Sequence, residues 1–471
     1  MKHTVLQVHG FFRKRVMTIL LPLISATSFA QGLSGSWKGV LDAGTARLTL
    51  VFHMNSDKTV TMDSPDQGAM GIPTTVKYFG TDSLCVEVET MKIEYTGKLV
   101  GDEIKGSFSQ MGYSFPLNLK MGEAKLNRPQ TPQPPFPYTT KEVSFENKGI
   151  DPLTGKQSAA GGACLGATLT LPENFKKGMP VVLIVTGSGQ QDRNEELMGH
   201  KPFLVIADFL ARHGIATLRY DDRGVGQSTG DANNATTFDN MLDALAGIEF
   251  LKKSKEFGKI GVLGHSEGGT IGYMLAARGK ADFVVSLAGP TMRGDSVLLM
   301  QNRDILQKAG LDDENINKYV EALRRVFHYK ISGSKLRFAS KPEAVLPMLT
   351  SDLNLPEPLR QNLVETLKQV DGKWMDYFIS YDPAEDLRKV KCPVMLVGGS
   401  TDTQVRAKEN ISTGKALLPK NPKSLFKEYP NTNHLFQPST NGIPLEYGKI
   451  ETTIQENVLN DIAKWIQGVV K

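Results

Sequence analysis

Gly264-His265-Ser266-Glu267-Gly268 sets a serine between two glycines where two local patterns meet. Lys259-Ile260-Gly261-Val262-Leu263 reads as a short buried strand, and Gly269 through Ala277 reads as a helix packed closely on it. A serine on so sharp a turn is held in a strained backbone conformation, with its hydroxyl clear of the sheet. Gly264 and Gly268 flank it because a Cβ at either place would collide with the neighbouring strand and helix. The Glu267 N–H, at the helix N-terminus, faces the place where an oxyanion would form on an attacked carbonyl. The chemistry served is nucleophilic attack by serine, from a nucleophile elbow.

Gly is 45 of 471 residues, so chance copies of Gly-x-Ser-x-Gly are expected, and Gly226-Gln227-Ser228-Thr229-Gly230 is a second one. It follows Tyr220-Asp221-Asp222-Arg223-Gly224-Val225 and runs into Asp231-Ala232-Asn233-Asn234, a polar loop and not a helix. Ser266 is therefore the expected nucleophile and Ser228 a loop serine.

A chain of 471 residues has room for two or three domains, and 40% hydrophobic with 22% charged residues is ordinary for a globular protein. Its start is not ordinary. Lys2, Arg13, Lys14 and Arg15 precede the apolar run Val16–Ile24, and Ser28-Phe29-Ala30 then offers small residues before Gln31. The pattern predicts a secretory signal over residues 1–30, cleaved after Ala30, in an exported protein that is periplasmic or secreted. The run is too short to span a bilayer, so no stable membrane insertion is expected, and no cysteine follows it as in a lipoprotein. Removing those residues takes Lys/Arg from 55 to 51 against 50 Asp/Glu, a balance that does not suggest a nucleic-acid partner, and none is expected. Cys85, Cys164 and Cys392 are too far apart for zinc-knuckle spacing. Cys85 and Cys392 read as buried free thiols, with a bridge left open in an exported chain.

Stepping along the chain, residues 31–126 alternate short β patterns with turns. Strands are expected at Ser36–Leu41, Ala46–His53, Thr59–Asp63, Thr74–Phe79, Ser83–Glu87, Lys92–Leu99, Glu103–Ser109 and Tyr113–Lys120. Gly101-Asp102 reads as a hairpin turn, and the whole as a small antiparallel barrel filled by its own side chains. Residues 127–138, rich in proline, read as an extended, semi-rigid linker. Residues 139–471 then alternate strands with helices, for a mostly parallel sheet covered on both faces. Strands are expected at Ala167–Leu171, Val181–Thr186, Ala216–Tyr220, Ile260–Leu263, Phe283–Ala288, Val394–Val397 and Ser424–Tyr429. Residues 292–385 carry helical periodicity between two strand signals and read as a cap above Ser266.

On these features residues 140–471 resemble the α/β-hydrolase superfamily. More narrowly they resemble exported bacterial serine esterases with Gly-Ser-Gly-x-x-Asp-Arg after the third strand, here Gly187-Ser188-Gly189-Gln190-Gln191-Asp192-Arg193. Gly35-Ser36-Trp37-Lys38-Gly39 is similar to the first strand of lipocalin-like barrels. The resemblance implies that Val394–Asp402, a strand ending in Gly-Gly-x-x-Asp, presents Asp402 as the triad acid. It also makes His434, after the last strand, the base, giving the chain order Ser, Asp, His. Of the remaining histidines, His3 and His9 are in the signal, His53 in the barrel and His328 in the cap. His200 and His213 flank the first sheet-covering helix, and His265 packs inside the elbow. A second oxyanion donor comes from the Gly187–Gln190 loop: Ser188 on one alignment, Gln190 if the loop is longer. Asp192 and Arg193 read as loop staples pairing with Arg223 or Asp222.

The expectation is a serine hydrolase that takes small-molecule carboxylic esters through an acyl-enzyme, with no metal and no organic cofactor. A serine aminopeptidase, a thioesterase or acyltransferase, and a binding protein on a dead hydrolase scaffold are the other readings.

Overall fold

The computed structural model describes residues 32–44, 47–67, 69–123, 126–332, 342–369 and 372–471. The segment read as a signal, with His3 and His9, lies outside them. The first sheet has ten strands: β1 (Gly35–Asp42), β2 (Arg47–Met54), β3 (Val60–Ser64), β4 (Ala69–Pro73), β5 (Thr75–Phe79), β6 (Ser83–Val88), β7 (Ile93–Val100), β8 (Glu103–Gln110), β9 (Tyr113–Pro116) and β10 (Leu119–Met121). Their order is β4-β3-β2-β1-β10-β8-β7-β6-β5, with β9 also on β8. The two ends of that path, β4 and β5, are separated in sequence by Thr74 alone, so the antiparallel sheet curls until it nearly closes. Inward-facing Trp37, Phe52, Tyr95, Ile104 and Phe108 fill the interior, and Phe52 stacks on Tyr95 at 4.6 Å. Gly101, at φ 68°, turns β7 into β8 with Val100 opposite Glu103.

Two details differ from the sequence expectation. Ala69–Pro73 forms a strand that the glycines around it disguised. The strand expected at Tyr113–Lys120 is broken into β9 and β10 at Leu117-Asn118, where the Asn118 side chain takes over the Gly106 N–H. The preceding Pro116 supplies no ladder donor.

The second sheet has eight strands: β11 (Thr139–Asn147), β12 (Ala163–Leu171), β13 (Val181–Val185), β14 (Ala216–Tyr220), β15 (Ile260–His265), β16 (Phe283–Leu287), β17 (Val394–Gly399) and β18 (Leu425–Tyr429). The order is β11-β12-β14-β13-β15-β16-β17-β18, antiparallel through β12–β14 and parallel beyond. β13 shows why such a strand reads as an unbroken apolar run. Val181, Leu183 and Val185 enter one core and Val182 and Ile184 the other. The first core lies under α2 (Thr237–Ser254) and α3 (Glu267–Ala277), the second under α1 (Pro202–Arg212) and the last helix, Glu456–Val469. Thr236 and Asp239 close α2 with reciprocal side-chain caps. This is an α/β-hydrolase sheet preceded by a barrel.

Between β16 and β17 come α4 (Gly294–Lys308), α5 (Asp313–Ile331), α6 (Pro342–Thr350), α7 (Glu357–Gln369), α8 (Lys373–Ser380) and α9 (Ala384–Leu387). They carry their own apolar core, with Tyr319, Leu323, Phe327, Leu363 and Ile379 at its centre. The proline-rich segment does not run free. Arg128 donates to the carbonyls of Met198 and Gly448 at 2.8 and 2.7 Å, and Gln130 bonds the backbone of Thr453 and Ile454. Cys85, Cys164 and Cys392 are free thiols.

Candidate active site

Ser266 sits between β15 and α3 with φ 51° and ψ −120°. A positive φ costs a residue bearing a Cβ on the order of 1–3 kcal/mol and persists where the surroundings fix it. Here Ser266 N donates to the Leu287 carbonyl at 2.8 Å, and its own carbonyl accepts from Gly269 N at 2.9 Å. A Cβ on Gly264 would overlap the Gly268 carbonyl, and one on Gly268 would overlap the carbonyls of Val185 and Thr186. Glu267 opens α3, so its N–H belongs to the helix turn that lacks intrahelical acceptors.

Asp402 follows β17 and is buried, as is His434 beyond β18. Asp402 Oδ2 lies 2.7 Å from His434 Nδ1, while Oδ1 accepts from Gln404 N at 2.8 Å and Val405 N at 2.9 Å. One carboxylate oxygen is thus locked into its own turn and the other is given to the imidazole. A proton on Nδ1 leaves Nε2 as the ring's acceptor. His434 lies against the residue preceding the elbow serine: its carbonyl is 3.0 Å from His265 Nε2, and the two ring centroids are 4.8 Å apart. Among the described residues no hydrogen bond joins Ser266 Oγ to His434, a step that commonly tightens only around substrate.

The loop after β13 is pinned at both ends. Gly187 N donates to Glu195 Oε1 at 2.7 Å; Thr186 Oγ1 and Gln191 N donate to the two oxygens of Asp222 at 2.7 and 2.9 Å. Ser188 and Gln190 lie between these anchors. A Cβ on Gly187 would come within 3.3 Å of the Ser266 Cβ, so the loop passes directly beside the serine. Burial pushes the Asp222 carboxyl well above the usual carboxylate range despite those bonds.

The expected staples form with other partners. Arg193 pairs with Asp221, through Nε at 3.0 Å and Nη2 at 2.7 Å, and with Glu142. Arg223 instead forks onto Asp243 from a fully buried position. Asp192 caps its own loop at Asn194 N and Glu196 N. Adjacent acids in Asp221-Asp222 take different partners, Arg193 for the first and Thr186 and Gln191 for the second, which the dipeptide alone does not reveal. Ser228 is structural: its hydroxyl donates to the Asp221 carbonyl at 2.7 Å and accepts from Gly166 N at 2.9 Å.

Three side chains near the elbow escaped sequence reasoning. Glu195 carries no motif. His265 was expected merely to pack, but its ring bridges Glu195 Oε1 and the His434 carbonyl, each at 3.0 Å. Trp374, from α8, donates Nε1 to the Glu267 carboxylate at 3.0 and 3.1 Å and ties the cap to the elbow. Burial raises the Glu267 carboxyl above its ordinary value, against the opposing influence of Thr237, then the Trp374 bond and the approach of Ser188. Among the described residues no three His, Cys, Asp or Glu side chains cluster as metal ligands would, and no helix is long and apolar enough to cross a membrane.

An eight-stranded sheet with a serine elbow at its centre and an Asp–His pair beyond its next strands defines the α/β-hydrolase class. Within it, the model of the X-Pro dipeptidyl-peptidase (S15) family matches residues 161–428, and the chain belongs to that family. The match takes in Ser266 and Asp402 and ends before His434. Membership makes the chain a hydrolase. Esterase EstD of Thermotoga maritima is 28% identical over 330 residues, which are 69% of this chain and 68% of that protein. An uncharacterized 31.7 kDa Escherichia coli protein from the traX-finO intergenic region is 25% identical over 47% of this chain and 74% of its own. Among solved structures, the Pyrococcus furiosus esterase Pf2001 is similar at 15% identity and a TM-score of 0.41, covering 74% of this chain and all of its own.

Proposed function

We propose that the chain is a serine esterase working through an acyl-enzyme, with Ser266 as nucleophile, His434 as base and Asp402 as its orienting acid. The observation that carries this reading is the buried 2.7 Å His434–Asp402 bond, with His434 packed on His265, the residue next to a serine held at positive φ. Ser266 Oγ adds to the ester carbonyl while its proton passes to His434 Nε2. Asp402 holds the tautomer and stabilises the imidazolium. The Glu267 N–H and the N–H of Ser188 or Gln190 receive the oxyanion. Collapse expels the alcohol, protonated by His434, and a water activated by the same ring then releases the acid.

The family description keeps X-Pro dipeptidyl cleavage as the second reading. Such an enzyme must grip a protonated α-amine, two residues N-terminal to the scissile bond, with a carboxylate. Four cap acids are already engaged among the described residues: Asp295 with Arg293, Glu314 with Lys318, Glu321 with Arg325 and Asp376 with Lys330. Glu267 is engaged by Trp374. With an esterase among the relatives, the ester reading is favoured. The pattern of residues 1–30 supports export to the periplasm or medium as part of the proposal.

Matched assays separate the readings. Short-acyl p-nitrophenyl esters should show higher kcat/KM than X-Pro p-nitroanilides. A higher value for the unblocked X-Pro anilide, abolished by N-acetylation, would establish the peptidase instead.

A further inference from the structure

Beside Ser266 lies a buried ionisable pair that the reaction above does not use. Glu195 and His265 are 6% and 7% exposed, with Oε1 and Nδ1 3.0 Å apart. The same Oε1 accepts from Gly187 N at 2.7 Å. Across the ring, Nε2 is 3.0 Å from the His434 carbonyl. A backbone carbonyl can only accept, so Nε2 carries a proton. With Glu195 as a carboxylate, which accepts from Gly187 and again from Nδ1, both nitrogens donate and the ring is an imidazolium. Glu195 itself holds φ 51°, a conformation retained where the surroundings over-determine it.

We propose that Glu195 and His265 are positioning residues for the hydrolysis: a carboxylate–imidazolium pair that fixes Gly187 of the oxyanion loop and the backbone of His434 in one frame around Ser266. Three bonds in series then join the loop after β13, the end of β15 and the loop after β18. Those segments supply, in turn, the oxyanion donor, the nucleophile and the base, and the pair adds side-chain bonds between loops that the sheet itself joins only through its strands. A buried ion pair is weak as a source of stability, because desolvating both charges offsets their attraction. Its value here is alignment, since a misplacement of about 1 Å in reacting groups can cost ~10²-fold in rate. The charge state agrees: burial alone would lower the His265 pKa, but the Glu195 charge and bond, the His434 carbonyl and the more distant Asp402 hold it above its ordinary value.

The proposal rests on the triad reading, so the test carries a control for each. The full chain is compared with Glu195→Gln, His265→Gln, the double variant and Ser266→Ala, using a short-acyl p-nitrophenyl ester and histidine-ring 15N NMR. Each single variant should lower kcat by ~10- to 100-fold with KM changed less than about threefold. The double variant should fall no further than the poorer single one, because both break the same series. The wild-type His265 ring should show two N–H groups through about pH 7, and Glu195→Gln should remove the Nδ1 proton. Wild-type kcat in either single variant, or losses that multiply in the double, would overturn the positioning role. A neutral wild-type ring would overturn the ion pair whatever the rates. Full turnover by Ser266→Ala would instead overturn the triad reading, leaving the NMR result to decide the pair.

Discussion

Asp402 spends its two oxygens differently, and that division makes a residue-scale prediction. Oδ1 holds Gln404 N and Val405 N, so Asp402→Asn can keep the turn through its amide oxygen. The amide nitrogen would then face Nδ1 and force the wrong His434 tautomer. We expect kcat to fall by ~10⁴-fold with little change in melting temperature. A fall under tenfold would show that the pair is structural. Burial explains why such a pair can work: with Asp402 and His434 both removed from water, competition for the 2.7 Å bond is slight.

At the scale of elements, one indole joins the cap to the elbow. Trp374→Phe keeps the stacking on Phe378, at 5.1 Å, but leaves the buried Glu267 carboxylate without its Nε1 donor. A loss of about 1–3 kcal/mol in stability is expected by chemical denaturation, and an unchanged midpoint would show that the bond carries nothing. The elements themselves were largely legible in sequence. β13 is an unbroken apolar run, β15 and β17 are apolar up to their glycine-bearing ends, and the helical period of residues 292–385 announced the cap. What sequence did not disclose were contacts between segments far apart in the chain. β11 is polar on its outer face and so lacks the apolar run of its neighbours. His265, Glu195 and Trp374 gain their meaning only when segments 70 and 107 residues distant are brought together.

For the whole molecule, barrel, linker and hydrolase meet around Arg128, Gln130 and His200. A chain beginning at Tyr138 loses the Arg128 and Gln130 bonds and leaves backbone groups of Met198, Gly448, Thr453 and Ile454 without those partners. A chain beginning at Leu126 keeps them and should be more stable to heat; equal melting temperatures would make the linker a passive tether. His200 gives this junction a pH dependence. Burial, then the Arg128 guanidinium, lowers its pKa to about 4, while the unfolded chain protonates near 6.5. The unfolded state therefore binds the proton first as pH falls. Stability from this group is full above about pH 6.5 and declines toward about pH 4, by up to about 3 kcal/mol. In melting curves across that window, His200→Gln should flatten the decline; an identical slope would assign it to other groups.

The two Gly-x-Ser-x-Gly serines allow the central claim to be tested in one measurement. Full-length protein, Ser266→Ala and Ser228→Ala are assayed for turnover of a short-acyl p-nitrophenyl ester. Ser266→Ala should lose ~10⁴-fold or more in kcat. Ser228→Ala, which removes hydrogen bonds to Asp221 and Gly166, should keep most of its activity. Equal loss in both folded variants, or turnover surviving in Ser266→Ala, would contradict the account.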